Sequence, residues 1–246
     1  FVSSNYTKNI FNLNGLDNVT HVPLGFDNDF QITNKTYLQD KIHFGILGKF
    51  ENRKNTARII KSWLKLFGNK PEYQLSCAIT NPFLDKARFQ NELLKVLEGK
   101  QYNNLNFVPY MQTNSEVNDY LNSIDIDLGG LSGSEGWNLP SFNATALGKW
   151  SVVINATAHK DWATKDNSIL IEPSSLKDCY DDVFFKKGQS FNQGQFFDIS
   201  DQEMDDAILK SLSYAKTPNP EGLKLQKQFT YEKTVETILC AISSQM

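Results

Sequence analysis

Clusters of apolar residues alternate along the chain with turn-forming and polar stretches in a β-α-β-α order, the pattern of a parallel sheet covered by helices. Short runs bounded by breakers predict strands over 43–47, 73–79, 105–108, 124–128, 150–154 and 168–171. Between the first strands, Ile59, Ile60, Trp63, Leu64 and Phe67 recur at helical spacing before Gly68, and Phe89, Leu93, Val96 and Leu97 before Gly99. A short helix is expected over 116–121. A later helix carries Met204, Ile208, Leu212 and Ala215, and a terminal one carries Val235, Ile238, Leu239 and Ile242 on one side. Six strands with their helices make residues 41–246 one α/β domain, a single Rossmann-like parallel sheet flanked by helices. The first forty residues read differently: a strand end at 1–4, a helix over 5–13, and a strand over 19–25 running into Pro23-Leu-Gly-Phe-Asp27. There is no internal repeat and no low-complexity segment.

Two loops in this frame carry candidate chemistry. Residues 129–148 read GGLSGSEGWNLPSFNATALG and join the fourth strand to the fifth. The loop delivers Glu135, Gly136, Trp137, Asn138 and Leu139, and Pro140 falls in the first turn of a helix, where its missing N–H costs nothing. Unpaired amides and the helix dipole at such a start favour an anion, so a phosphate is the natural guest, with Glu135 facing the uncharged or cationic part of the same ligand. Gly148 closes the helix. The second loop follows the first strand and reads Gly45-Ile-Leu-Gly-Lys49-Phe-Glu-Asn-Arg53-Lys54-Asn55, with Lys49 and Lys54 bracketing it. Taken alone, it is equally a solvated basic turn. In an open parallel sheet, however, ligands bind beyond the carboxyl ends of the strands, and both loops leave such ends.

Composition narrows the function classes. With 40% hydrophobic and 12% aromatic residues, 246 residues can build a substantial core. A net charge of −3 and a pI near 5.7 supply no general attraction for nucleic acid or an acidic membrane. The cysteines Cys77, Cys179 and Cys240 are odd in number and widely spaced, which suits reduced thiols, with Cys77 and Cys240 expected to fill core. His21, His43 and His159 have no metal-ligand spacing, and His159 reads as a solvated loop residue or one approaching a bound sugar. No metal site is expected. No apolar run reaches the length of a membrane span, so a soluble, cytoplasmic chain is expected. The sequons at Asn5, Asn18, Asn34, Asn143 and Asn155 are read as unglycosylated products of an Asn-rich composition. The stretch 178–194, rich in aromatics and turn residues, is read as a surface insertion or an interdomain contact.

The run Glu135-Gly-Trp-Asn-Leu-Pro140, with Asn143 eight residues after Glu135 and Ala144-Thr-Ala-Leu-Gly148 behind it, resembles the signature of retaining glycosyltransferases of family 4. That family has a Glu-Gly-aromatic-Gly-Leu-Pro loop, a second Glu eight residues after the first, and an Ala-rich turn ending in Gly. Its Gly-Arg pair, followed by Lys about five residues on, maps onto Lys49 and Lys54. The Arg is thus replaced by a lysine that keeps the charge but lacks the bidentate fork. A Pro-x-Gly-hydrophobic-Asp element similar to residues 23–27 marks the crossover between the family's two Rossmann-like domains.

The resemblance implies the C-terminal, donor-binding half of a two-domain enzyme. Residues 1–40 would be a remnant of the N-terminal domain with the crossover, and 41–246 the nucleotide-sugar domain. Glu135, Lys49 and Lys54 would be the catalytic residues, with Glu135 on hydroxyls of the donor sugar and the lysines on the diphosphate. Backbone amides of Gly136, Trp137, Asn138 and Leu139 would add to the anion site. Asn143 would meet the ribose in place of the second Glu, or serve only as a polar helix residue. Val108 and Tyr110 would border the base, although Tyr110 is equally read as an ordinary half-buried aromatic. The implied substrate is a nucleoside diphosphate sugar and the chemistry metal-independent, with no cofactor. The acceptor, whether glycan, lipid or small molecule, is unknown, and nucleic acid is not a partner. The missing N-terminal domain would supply much of the cleft and any peripheral membrane contact, leaving this chain weakly active or inactive alone. A sugar-nucleotide epimerase of the same architecture and a non-catalytic binding module are the alternatives.

Overall fold

Strand pairing organises the chain. The computed structural model describes every residue except 34, 181–184, 191–193 and 245–246. Helix α1 (Asn5–Leu13) precedes β1 (Ile42–Lys49), α2 (Thr56–Phe67), β2 (Tyr73–Thr80), α3 (Lys86–Leu97), β3 (Leu105–Phe107), α4 (Asn114–Ser123), β4 (Ile126–Asp127), α5 (Leu139–Ala146), β5 (Trp150–Ile154) and β6 (Ser168–Ile171). A hairpin of β7 (Ser175–Asp178) and β8 (Gln195–Asp198) leads to α6 (Asp201–Ser211), the short α7 (Pro220–Leu223) and α8 (Leu225–Gln228), and α9 (Tyr231–Ser243). The main sheet has the order β3-β2-β1-β4-β5-β6, every neighbour parallel. This is the doubly wound Rossmann arrangement, whose order reverses between β1 and β4.

The strands read as near-continuous apolar runs because both faces are covered. One face packs Phe44, Ile46, Leu75 and Cys77 against the α2 stripe, where Ile59, Ile60 and Trp63 are fully buried. Phe44 stacks on Phe67 at 5.5 Å between ring centroids. The other face carries α4 and α5, with Leu121, Ile124, Phe142, Trp137, Trp162 and Phe229 in a second cluster. Burying each large side chain contributes about 1.5–3 kcal/mol, so these clusters fix the sheet on which the site loops stand. Local signals set the helix ends. Thr113 and Glu116 form a capping box on α4, Ser200 and Glu203 another on α6, and Gly148 follows α5 at φ +82°.

Residues 1–33 lie along the same body. Ser3 Oγ donates to the Gly136 carbonyl at 2.7 Å, and the Asn5 amide to Asp161 Oδ2 at 2.8 Å. Phe26 N donates to Phe229 O at 2.9 Å, and Thr234 Oγ1 to Pro23 O at 2.8 Å.

Several expectations are corrected here. Residues 19–25 form no strand; Val2 and His21 make an isolated bridge, as do Phe26 and Thr230. Helix α9 exists, but Val235, Leu239 and Ile242 face outward and none of its residues is buried, because periodicity identifies an amphipathic helix without naming what its stripe meets. Cys240, on that helix, is accordingly exposed rather than core, whereas Cys77 is buried. The stretch expected to be an insertion is flanked by the β7–β8 hairpin, while 181–184, 191–193 and the sequon at Asn34 lie outside the described residues. Among the described residues no helix is long and apolar enough to cross a membrane.

Candidate functional site

Both predicted loops leave the carboxyl edge of the sheet, after β1 and β4, on either side of the point where the strand order reverses. The connection after β1 tightens into a 3-10 turn at Asn52–Lys54, and Asn55 follows in the left-handed region at φ 54°, a conformation asparagine tolerates better than most residues. Asn55 Nδ2 then donates to the Leu131 carbonyl at 2.9 Å, and Ser132 Oγ to Arg53 O at 3.1 Å, so the two loops are stitched together.

Their charges meet at Glu135. Its carboxylate is 2.7 Å from Lys54 Nζ and 3.2 Å from Arg53 Nη1, and its side chain is only 7% exposed. Burial pushes this carboxyl up, but Lys54 and then Arg53 outweigh burial and hold it below the ordinary carboxylate range. Arg53 also donates to the Ser134 carbonyl and pairs with Glu51 at 2.6 Å. Burial alone would lower its pKa; the two carboxylates raise it instead. Arg53 was not singled out from the sequence. Two flanking lysines drew the assignment, and only the 3-10 turn shows that Arg53 points to the same carboxylate as Lys54.

A cleft of about 350 Å³ opens beside this group, within the size range of small-molecule sites. Lys49, Arg53 and Lys54 line it on one side, Val108, Tyr110 and Met111 on another, and Pro140 at the start of α5 closes it. Lys49 is exposed and places Nζ 5.2 Å from the Phe83 ring centroid. Val108 is fixed by its amide, which donates to Cys77 O at 2.9 Å, while Tyr110 is 72% exposed at the rim rather than half-buried.

The α5 entry has an open N-terminus. Its N-cap, Asn138, is left-handed at φ 65° and makes no side-chain cap, with Pro140 in the first turn. Gly136 and Leu139 are exposed on this rim. The Trp137 ring is not: it packs edge-on to Phe142 at 5.5 Å and Phe229 at 5.3 Å, so the side chain is withdrawn from any ligand. Asn143 lies on α5 one turn beyond Pro140, is 8% exposed, and keeps Oδ1 without a hydrogen-bond partner among the described residues.

Beneath the rim, Asp127 accepts from the Gly129 amide at 3.0 Å, and complete burial pushes its carboxyl above the ordinary range. His159 is buried rather than solvated. Its Nδ1 lies 2.8 Å from the Ile154 carbonyl, which can only accept, so Nδ1 carries the proton and Nε2 accepts from Asn138 Nδ2 at 2.9 Å. Neither role could be read from its polar neighbours Lys160 and Asp161. Among the described residues no three His, Cys, Asp or Glu side chains come together to hold a metal ion.

The sequence matches no protein-family profile and no curated protein. The fold matches solved structures. Sucrose-phosphate synthase from Thermosynechococcus elongatus superposes with a TM-score of 0.69 at 14% identity over 99% of this chain. Anabaena HepE in complex with UDP-glucose gives 0.71 at 13% over 99%. The C-terminal domain of a group 1 family glycosyl transferase, LpcC, from Francisella tularensis gives 0.55 at 20% over 86% of this chain and 97% of that domain. The chain spans 57% of the synthase and 63% of HepE. Its Rossmann-like sheet is thus of the kind found in the C-terminal domains of GT-B glycosyltransferases.

Proposed function

We propose that the chain binds a nucleoside diphosphate sugar in the cleft between the β1 and β4 loops, as the donor-binding half of a retaining, family 4-like enzyme that transfers a hexosyl group to an acceptor. The observation that carries this reading is the convergence of Lys49, Arg53 and Lys54 on one cleft beside a buried, ionised Glu135 and the open start of α5. Breaking a glycosidic bond to a diphosphate builds negative charge on the leaving group. Cations and helix-start amides aimed there stabilise the transition state more than the ground state. Arg53 would restore part of the guanidinium function that Lys49 lacks. Glu135, held charged by its two partners, would accept hydrogen bonds from sugar hydroxyls. Asn143 would offer its unpartnered Oδ1 to the ribose, and Val108 with Tyr110 would border the base. No metal is invoked. Residues 1–40 would form the remnant of a preceding domain and its crossover, and that domain would complete the acceptor side. HepE, bound to UDP-glucose, supplies the first probe.

Titration calorimetry with UDP-, GDP- and ADP-glucose tests the reading. Binding of at least one, lost in Lys54→Ala more severely than binding of the bare nucleoside, is expected. No heat with any of them at millimolar concentration overturns it.

A further inference from the structure

The loop that carries Glu135 is suspended from another segment. Four hydrogen bonds tie residues 135–138 to the 3-10 turn Thr157–Asp161 and the tryptophan after it. The Glu135 amide donates to Thr157 Oγ1 at 3.1 Å, and the Ala158 amide donates to Glu135 O at 3.4 Å. Trp162 Nε1 donates to Trp137 O at 2.9 Å, and Asn138 Nδ2 donates to His159 Nε2 at 2.9 Å. Thr157 itself is left-handed at φ 50°, a conformation a β-branched residue adopts only when its surroundings hold it there. The turn is anchored in its own right, since His159 Nδ1 is bound to Ile154 at the end of β5, and Asp161 accepts from the Asn5 amide and lies 3.2 Å from His21.

Resting on the donor-site reading above, we propose that His159 is a positioning residue: through Asn138 it locks the Glu135 loop and the left-handed start of α5 in the geometry that receives the donor. Asn138 sits at the pivot. Its side chain spans from His159 to the Gly129 carbonyl at 3.1 Å, and its backbone sets the direction in which α5 begins. Only the neutral ring can do this, because an imidazolium has no lone pair left to accept from Asn138. The charged groups acting on the ring are Glu135, from the loop it holds, and Lys54, from the β1 connection; Lys160 and the His21-paired Asp161 share its turn.

The test compares wild type, His159→Phe and His159→Gln by residue-resolved hydrogen exchange and by UDP-, GDP- and ADP-glucose affinity between pH 8 and pH 5.5. In His159→Phe the amides of 135–139 should exchange about tenfold faster relative to those of β1 and α2, with donor affinity weakened at least as much. His159→Gln, whose amide can both donate to Ile154 and accept from Asn138, should recover most of both. Corrected for the intrinsic rate, wild-type loop exchange should rise toward pH 5.5 while that of His159→Gln stays flat. Unchanged loop exchange in His159→Phe, or an increase shared equally by β1 and α2, overturns the proposal. So does a His159→Gln variant as loose as His159→Phe. If the loop behaves as expected but wild type binds no sugar nucleotide, the positioning role stands and the donor reading falls.

Discussion

Replacing Lys54 with methionine isolates the charge balance at the centre of the site. The substitution keeps an unbranched apolar stem but removes the ammonium 2.7 Å from Glu135, whose side chain is 7% exposed. Stranding one member of a buried pair costs about 3–5 kcal/mol. Here Arg53 Nη1 remains 3.2 Å from the same oxygen, so the loss is expected near 2 kcal/mol, or roughly 4–8 °C in melting temperature for a chain of this size. The pH dependence gives the sharper test. In wild type the Glu135 carboxyl is held below its ordinary value, so its contribution is present above the unfolded carboxylate pKa and disappears as pH falls through the lower, folded one. Without Lys54, burial dominates and the carboxyl protonates earlier. Urea unfolding at pH 7 and at about pH 4 should therefore show a gap between the two proteins that narrows on acidification, and Lys54→Arg should close most of it at pH 7. A gap of equal size at both pH values would mean that Lys54 stabilises by packing, and would refute the electrostatic account of Glu135.

Two further outcomes follow from the buried and exposed groups. His43, whose ring bridges Ser123 O at 2.7 Å and Ser76 Oγ at 2.8 Å, and His159 are both held below the ordinary histidine range by burial. Their contribution is complete above the unfolded value of about 6.5 and declines as pH drops through it, by at most about 1.4 kcal/mol per pH unit for each ring. Denaturation midpoints from pH 7.5 to 5.5 should fall, less steeply in His43→Gln, and a flat profile would contradict the neutral burial of both. Cys240 is exposed, whereas burial pushes the Cys77 thiol far up. Maleimide labelling of the folded chain should lose one fast equivalent in Cys240→Ser and none in Cys77→Ser; an unchanged count in Cys240→Ser would place that residue wrongly.

The sheet was legible because parallel strands buried on both faces are rich in apolar residues, and β1, β2 and β5 carry mostly such residues with only a few polar positions such as His43, Ser76 and Ser151. That Glu135, Lys49 and Lys54 would come together was legible because both loops leave the carboxyl ends of neighbouring parallel strands, and the structure brings all three to one region. Other features depend on contacts that local patterns do not encode. Arg53 turns inward only because a 3-10 turn replaces an open loop. His159 is buried by Trp162 at 5.7 Å and by the loop it supports, none of which its neighbours in sequence announce. The β7–β8 hairpin escaped notice because every residue of β7 is exposed and its strand shows no apolar alternation. The α9 stripe was legible as amphipathic, but that none of its residues is buried was not, since a periodic pattern states which residues share a face and not what that face meets.

The joining of residues 23–26 to 229–234 has a consequence for the order of events during synthesis. The Phe26 amide donates to the Phe229 carbonyl, and the Pro23 carbonyl accepts from the Thr234 hydroxyl, both more than two hundred positions later. The same holds on a shorter scale for Ser3 with Gly136 and for the Asn5 amide with Asp161. Such contacts form late, because the loop-closure entropy must be overcome before they stabilise anything. On the ribosome residues 31–33 can meet α4 as soon as it emerges, Ser3 and Asn5 wait for the loop after β4 and the turn after β5, and residues 23–26 are not clasped until α9 appears. No pairing of the six-stranded sheet involves residues 1–33, so the clasp at residues 23–26 is the last of these contacts to form, and ribosome-bound chains stopped before residue 229 should hold a folded sheet with residues 23–26 still free of it.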